Sequence, residues 1–102
     1  MNQNSNKKNI ENIDLFNYLI KTFQTSGLIA LGQITNPITS EINKNLDQAS
    51  FYIELLKMIN IRMKESLTDY EEQLLINTIS ELRLIYLKEI ENKTKTKRDK
   101  DL

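Results

Sequence analysis

The sequence predicts an all-α protein, and three observations lead to that class. The 102 residues include two glycines and one proline, and all three fall within eleven positions: Gly27, Gly32 and Pro37. Glycine and proline interrupt regular structure, so the rest of the chain is free to form long helices. On both sides apolar residues recur at the three- and four-residue spacing of amphipathic helices. We therefore predict one domain of three main helices, with one long ordered loop that contains Gly and Pro between helices 1 and 2.

The first helix is predicted to follow an arm, residues 1–9, which has no apolar residue after Met1 and is expected to be disordered. Asn9 or Asn12 offers a side-chain oxygen as the N-cap. Since Gly27 lies within the apolar stripe, we expect another helix to approach closely there; a kink is the alternative. The stripe consists of Ile13, Phe16, Leu19, Ile20, Phe23, Gly27, Ala30 and Leu31.

The loop after this helix is predicted to be ordered. Gly32 directly follows the stripe and is expected to close helix 1 in the left-handed conformation. Pro37 favours extended geometry at Asn36, so residues 34–38 are predicted to cross the protein in an extended form. Gly32, Asn36 and Pro37 form a candidate loop site, interpreted mainly as a packed connector, with a ligand or peptide groove as the alternative. Three loop isoleucines are expected to turn inward: Ile34, Ile38 and Ile42.

Two capping patterns predict the other helices. Asn45 with Gln48 three residues later indicates a helix from Leu46 to about Lys64. Thr68 with Glu71 indicates the third helix, which is predicted to end at about Glu91. The helical domain is thus residues 10–91, and residues 92–102 are predicted to form a basic flexible tail. The main stripes are Leu46, Ala49, Tyr52, Ile53, Leu56, Ile59 and Met63 on helix 2, and Leu75, Ile79, Leu82, Tyr86 and Ile90 on helix 3.

The composition argues against catalysis. The chain has no cysteine and no histidine, which removes the thiolate nucleophile, the commonest general base and the commonest metal ligand. We therefore expect no catalytic, metal or cofactor site and no enzyme activity. The longest apolar run, residues 28–31, is far shorter than a spanning helix, so no membrane segment is expected. With no signal-peptide core after Lys7 and Lys8, we expect a cytoplasmic protein.

The charges balance overall but are unevenly distributed. Residues 10–90 carry seven Lys or Arg and eleven Asp or Glu, a net charge of −4, whereas residues 1–9 and 91–102 each carry +2. The tail is interpreted as a solubilising end, and the alternative is weak contact with nucleic acid or another anionic surface. Its basic residues are Lys93, Lys95, Lys97, Arg98 and Lys100.

A second apolar line on the first two helices predicts association. In an isolated domain of this size each helix buries one broad stripe, so a second line would remain exposed to water. We expect it to form the interface of a homodimer or the contact with an unidentified protein partner; the alternative is that the long loop folds back over it. The candidate interface residues are Leu15, Tyr18 and Ile29 on helix 1 and Phe51, Leu55 and Met58 on helix 2, while Ile76 and Leu87 lie off the main face of helix 3.

Three segments in this order resemble a bacterial family of domains of unknown function, number 1844: LGQITNPIT, NLDQASFYIELLKMI and SLTDYEEQLLINTISELRLIYL. The resemblance covers roughly residues 16–88. It departs from the family pattern at Thr35, at Ser40, where glycine is common, and at Tyr70, where proline often opens the helix. The resemblance implies a small helical cytoplasmic protein and carries no established activity.

The predicted function is therefore a non-enzymatic protein-interaction or self-associating module. The alternative is an accessory nucleic-acid-associated protein, whose acidic body would dock on a protein while its basic ends contact RNA or DNA.

Overall fold

A computed structural model describes the backbone of residues 11–101 and the side chains of residues 11–95. The described chain folds into three α-helices, which confirms the predicted all-α class and helix number. They are α1 (Asn12–Ala30), α2 (Leu46–Arg62) and α3 (Asp69–Asp101), and a 3₁₀ helix, Lys64–Ser66, precedes α3. The arm at residues 1–9, and with it the proposed cap at Asn9, lies outside the described residues.

The helices run up, down and up. The Asn45 N–H donates to the Ala30 carbonyl oxygen at 2.8 Å, which ties the start of α2 to the end of α1 and makes the pair antiparallel. Along α3, contacts with α1 advance in the same direction: Gln24 Nε2 donates to Glu81 Oε1 at 2.8 Å, and Lys44, beyond the end of α1, pairs with Glu89 at 2.6 Å. The helices α1 and α3 are therefore parallel.

The core lies between the predicted main stripes of the three helices. Gly27 is buried, and a Cβ atom added there would lie 3.1 Å from Leu82 Cδ1. The predicted close approach at Gly27 is thus confirmed, and α1 continues through this residue to Ala30. The buried apolar residues are Phe16, Ile20, Ala30 and Leu31 from α1 and its cap, Ala49, Ile53, Leu56 and Ile59 from α2, and Leu75 and Leu82 from α3.

The first helix begins differently from its prediction and ends as predicted. Its N-cap is Glu11, whose N–H donates to Asp14 Oδ2 at 3.4 Å, so the proposed cap at Asn12 is wrong. The Asp14 carboxylate, three residues into the helix, thus accepts the N–H of the N-cap residue. At the other end Gly32 has φ +77°, and the Gln33 N–H donates to the Leu28 carbonyl oxygen at 2.9 Å. This is the predicted left-handed glycine cap.

The caps of the other two helices confirm their predictions. Asn45 Oδ1 accepts from the Gln48 N–H at 3.1 Å. Thr68 Oγ1 accepts from the Glu71 N–H at 3.1 Å, and Glu71 Oε1 accepts from the Thr68 N–H at 2.9 Å, so this capping box is closed in both directions. Glu71 is buried by this arrangement and by the adjacent core.

The third helix is longer than predicted. Its backbone is helical to Asp101, so the predicted end near Glu91 is wrong. The sequence after Glu91 has no apolar period, but it also has no glycine or proline, and lysine and arginine are good helix formers. Glu91 and Lys95 are also spaced as a favourable i, i+4 pair. The residues after Glu91 therefore continue the helix although they have no apolar face to pack against α1 or α2.

The loop between α1 and α2 turns sharply where an extended crossing was predicted. Asn36 Oδ1 accepts from the Ile38 N–H at 2.8 Å, and the Ser40 N–H donates to the Asn36 carbonyl oxygen at 2.7 Å. An Asn-Pro pair starts turns in this way, because the asparagine oxygen satisfies an amide of the turn and proline presets the next φ. The prediction of inward isoleucines is also wrong: Ile34 and Ile42 are exposed, and Ile38 at the turn is 90% exposed.

Candidate interaction surface

The predicted second apolar line of α1 and α2 is largely exposed. Phe51 is 60% exposed, and Leu15, Tyr18 and Met58 are also exposed. Ile29 and Leu55 are half-buried and therefore belong partly to the core. Since Ile34, Ile38 and Ile42 are turned to solvent, the loop isoleucines do not provide the cover that the alternative interpretation required.

Four of these apolar residues lie where α1 and α2 adjoin. Ser26 of α1 and Gln48 of α2 line the same cleft, so each marks the side of its helix that faces the other. At about 100° per residue, Leu15 and Leu19 lie on the Ser26 side of α1, and Phe51 and Leu55 lie on the Gln48 side of α2.

Tyr18 and Met58 lie about 80° further round than these two cleft residues, on the outer sides of α1 and α2. The surface formed by Leu15, Tyr18, Leu19, Phe51 and Met58, with the half-buried Ile29 and Leu55 at its edge, is called the α1–α2 face below.

Aromatic packing joins the α1–α2 face to the core. The Phe51 and Tyr52 rings form an edge-on pair with a centroid distance of 5.6 Å, and the Tyr52 ring lies 6.1 Å from the tilted Phe23 ring of α1. Aromatic pairs contribute about 0.5–1.5 kcal/mol beyond the area they bury. Phe51 is therefore linked through Tyr52 to the contact between α1 and α2.

The α1 part of this face carries no charge. Positions 15, 18, 19, 22, 26 and 29 are apolar or uncharged polar residues. Thr22 Oγ1 donates to the Tyr18 carbonyl oxygen at 2.7 Å, so its hydroxyl has a partner inside the helix. Covering a surface without charges avoids the desolvation penalty of ionised groups, so the face is suited to apolar contact.

A cleft of about 480 Å³ lies at the loop end of the same side. Asn36 and Pro37 line it together with Ser26, Ile29 and Tyr52, whereas Gly32 serves the helix cap. The amide oxygens of Asn36 and Asn45 accept backbone N–H groups, which leaves their NH₂ groups as donors at the rim. The candidate loop site therefore divides into a structural residue, Gly32, and two residues of an open polar cleft.

The basic positions of the tail fall on two faces of α3. Lys93 and Lys95 are exposed, and the side chains of Lys97, Arg98 and Lys100 lie outside the described residues. At about 100° per residue, positions 93, 97 and 100 lie within about 60° of one another on the helical backbone, and positions 95 and 98 lie on the other side of the helix. Three of the five basic positions therefore share one face.

Sequence reasoning missed a second exposed apolar region, which lies between α2 and α3. Ile61 of α2 is 73% exposed, and Ile76, Leu84 and Leu87 of α3 are also exposed. The placement of Ile76 and Leu87 off the main face was one signal of it. A second signal was the spacing of Phe51, Met58 and Ile61, since Ile61 continues the exposed line of α2.

Two features are absent from the part of the chain that the structure describes. In that part no group of three or more His, Cys, Asp and Glu side chains is arranged to hold a metal ion. Its helices also include none that is long and apolar enough to cross a membrane.

These features define a small three-helix all-α domain with an exposed apolar face. Residues 13–89 match the family described as domain of unknown function (DUF1844), and this chain belongs to that family. The match confirms the resemblance seen in the sequence. No curated protein and no solved structure matches the chain. Within the fold, Ser40 has φ +60°, which gives a physical reason for glycine at this place in the family pattern.

Proposed function

We propose that this chain is a non-enzymatic protein-interaction module of the bacterial cytoplasm, and that it forms a homodimer through the α1–α2 face. The observation that supports the proposal is the alignment of exposed Leu15, Tyr18, Phe51 and Met58 on adjacent helices. Isolated exposed apolar residues are normal on protein surfaces, whereas an aligned group forms a patch.

A two-fold axis suits this face. In such a dimer both copies use the same patch, so each apolar residue is buried once in each copy and contributes twice to the interface. Full burial of one such side chain contributes about 1.5–3 kcal/mol, and eight side chains that are about half exposed would contribute on the order of 6–12 kcal/mol. Association costs about 4–15 kcal/mol, so we expect a dimer that dissociates on dilution.

Light scattering coupled to gel filtration tests the proposal over a range of protein concentrations. The wild type is expected to approach twice the chain mass of 12.0 kDa at high concentration. Phe51→Glu places a charge in the centre of the face and is expected to give a folded monomer. Leu55 is half-buried, so Leu55→Glu would also disturb the core, and Met58→Glu is the better second variant.

The matched control is Leu84→Glu. Leu84 is 58% exposed, close to the 60% of Phe51, but it lies on α3, outside the α1–α2 face. This variant is expected to keep the wild-type dimer. Circular dichroism of each variant checks that the helices are retained. A wild type that stays at 12.0 kDa throughout, or equal dissociation by Leu84→Glu and Phe51→Glu, would reject the α1–α2 dimer.

The nucleic-acid alternative has less support, because only three of the five basic positions share a face of α3 and residues 10–90 carry a net charge of −4. Binding through these five cations would weaken steeply as salt is raised. It would also be lost when residues 92–102 are removed. A mobility shift of RNA or DNA with both properties would favour the alternative over the proposal.

A further inference from the structure

A shallow groove runs between α2 and α3. Two adjoining depressions, of about 220 and 190 Å³, share Arg83 and together form this α2–α3 groove. One is lined by Ile61, Ile76 and Ile79, and the other by Leu87. From Ile76 to Leu87 the groove follows α3 for eleven residues, which is about 16 Å at the helical rise. That length corresponds to about three turns of a second helix.

The walls of the groove are apolar and accessible. Ile61 is exposed on one wall, and Ile76 and Leu87 are exposed on the other. An amphipathic helix recognises such a groove by placing residues at i, i+3 or i+4, and i+7 between the walls. The geometry therefore favours a helical segment over an extended chain or a small molecule.

Three charged residues line the groove: Arg83 and Lys57, which are basic, and Glu54, which is acidic and lies in the depression at Leu87. The depression at Ile61 is lined by Lys57 and Arg83 and by no acidic residue, although residues 10–90 as a whole have a net charge of −4. Among residues 11–95, none of the three ion pairs includes Arg83, and Lys57 pairs at 3.2 Å with the exposed Glu54. An exposed pair of this kind contributes little, so Lys57 can exchange its partner at small cost.

From these observations we propose that the α2–α3 groove binds an amphipathic helix of another protein, with acidic residues beside its apolar stripe. The carboxylates would meet Arg83 and Lys57, and the apolar stripe would lie between Ile61 and Ile76. A second copy of this chain fits less well, because carboxylates flank the exposed apolar line of its α1 only at the N-terminal end, at Glu11 and Asp14. The proposal uses residues different from those of the α1–α2 face and does not depend on the dimer.

The test uses two synthetic helical peptides of about 14 residues with the same apolar i, i+4, i+7 pattern. One carries glutamates beside the apolar stripe, and the other carries lysines at the same positions. Fluorescence anisotropy with the full chain is expected to show saturable binding of the glutamate peptide and binding about tenfold weaker or worse for the lysine peptide. Amide chemical shifts are expected to change at Ile61, Ile76 and Arg83.

Arg83→Glu is expected to weaken the glutamate peptide by at least about tenfold, which corresponds to about 1.4 kcal/mol, and to improve the lysine peptide. Lys88→Glu is the matched control, because it makes the same charge change on an exposed position of α3 outside the groove. It is expected to leave the preference unchanged. The proposal is overturned by absence of saturable binding, by equal binding of the two peptides, by equal effects of the two variants, or by shifts confined to the Phe51 side.

Discussion

An aliphatic residue and a glycine have different structural roles in the helical body and in the loop between α1 and α2. In the body Leu56 is fully buried, and Gly27 is small because Leu82 of α3 packs against it. In the loop Ile38 is 90% exposed, and Gly32 is required by its φ of +77°. Side-chain contacts therefore determine stability in the body, whereas backbone conformation determines it in the loop.

The largest expected difference is between two aliphatic residues. Leu56→Ala removes a fully buried side chain from between the helices and is expected to lower the free energy of unfolding by about 2–5 kcal/mol. Ile38→Ala at the exposed turn is expected to change it by less than about 0.5 kcal/mol. Urea unfolding followed by circular dichroism, at one low protein concentration, measures both. Surface substitutions usually change the free energy of unfolding by no more than about 0.5 kcal/mol. A cost above about 1 kcal/mol for Ile38→Ala would therefore show that the Ile38 side chain makes stabilising contacts.

A smaller effect is expected at the glycine that closes α1. A Cβ atom at Gly32 would lie 2.8 Å from Lys44 Cε, and its φ of +77° is unfavourable for a residue with a side chain. We expect Gly32→Ala to cost about 1–2 kcal/mol. Since the Lys44 side chain is flexible, most of this cost comes from the backbone.

Gly32→Asn is the control for that interpretation, because asparagine tolerates the left-handed conformation better than alanine does. We expect it to be less destabilising than Gly32→Ala in the same urea experiment. If the larger asparagine were instead the more harmful substitution, crowding by Lys44 would be the cause and the backbone interpretation would be wrong.

The smallest expected effect is a gain. Ser40 has a left-handed backbone conformation, with φ +60°, which glycine adopts without strain. Ser40→Gly is expected to stabilise the fold by up to about 1 kcal/mol, because removing the strain of about 1–2 kcal/mol is partly offset by the greater freedom of glycine in the unfolded chain. A rise in the urea midpoint without a change of slope is the expected readout. A lower midpoint would indicate that the Ser40 side chain makes a contact that contributes more than the strain costs.

The residues of the candidate surfaces show where sequence reasoning succeeds. The exposed positions of Leu15, Tyr18, Phe51 and Met58 follow from helical periodicity, because a helix packed in a small bundle buries one stripe. Periodicity did not reveal the α2–α3 groove. Its two walls come from different helices, and the distance between them depends on how closely α2 and α3 pack.

The sequence by itself determined the features that depend on hydrogen bonds between near neighbours. The caps at Asn45 and Thr68 and the left-handed closure at Gly32 each involve residues within five positions, so the local pattern was sufficient. The main stripes were also readable, since they follow the helical period. The predicted end of α3 is wrong because the loss of an apolar period does not by itself end a helix.

Only the tertiary structure decided how these elements share their surfaces. Leu19 belongs to the predicted buried stripe yet remains 37% exposed, because α2 covers only part of that side of α1. Ile38 is 90% exposed because it stands at the tip of the turn that Asn36 Oδ1 closes. Burial depends on which other element comes within contact distance, and that distance is set by packing between residues far apart in the chain, such as Gly27 and Leu82.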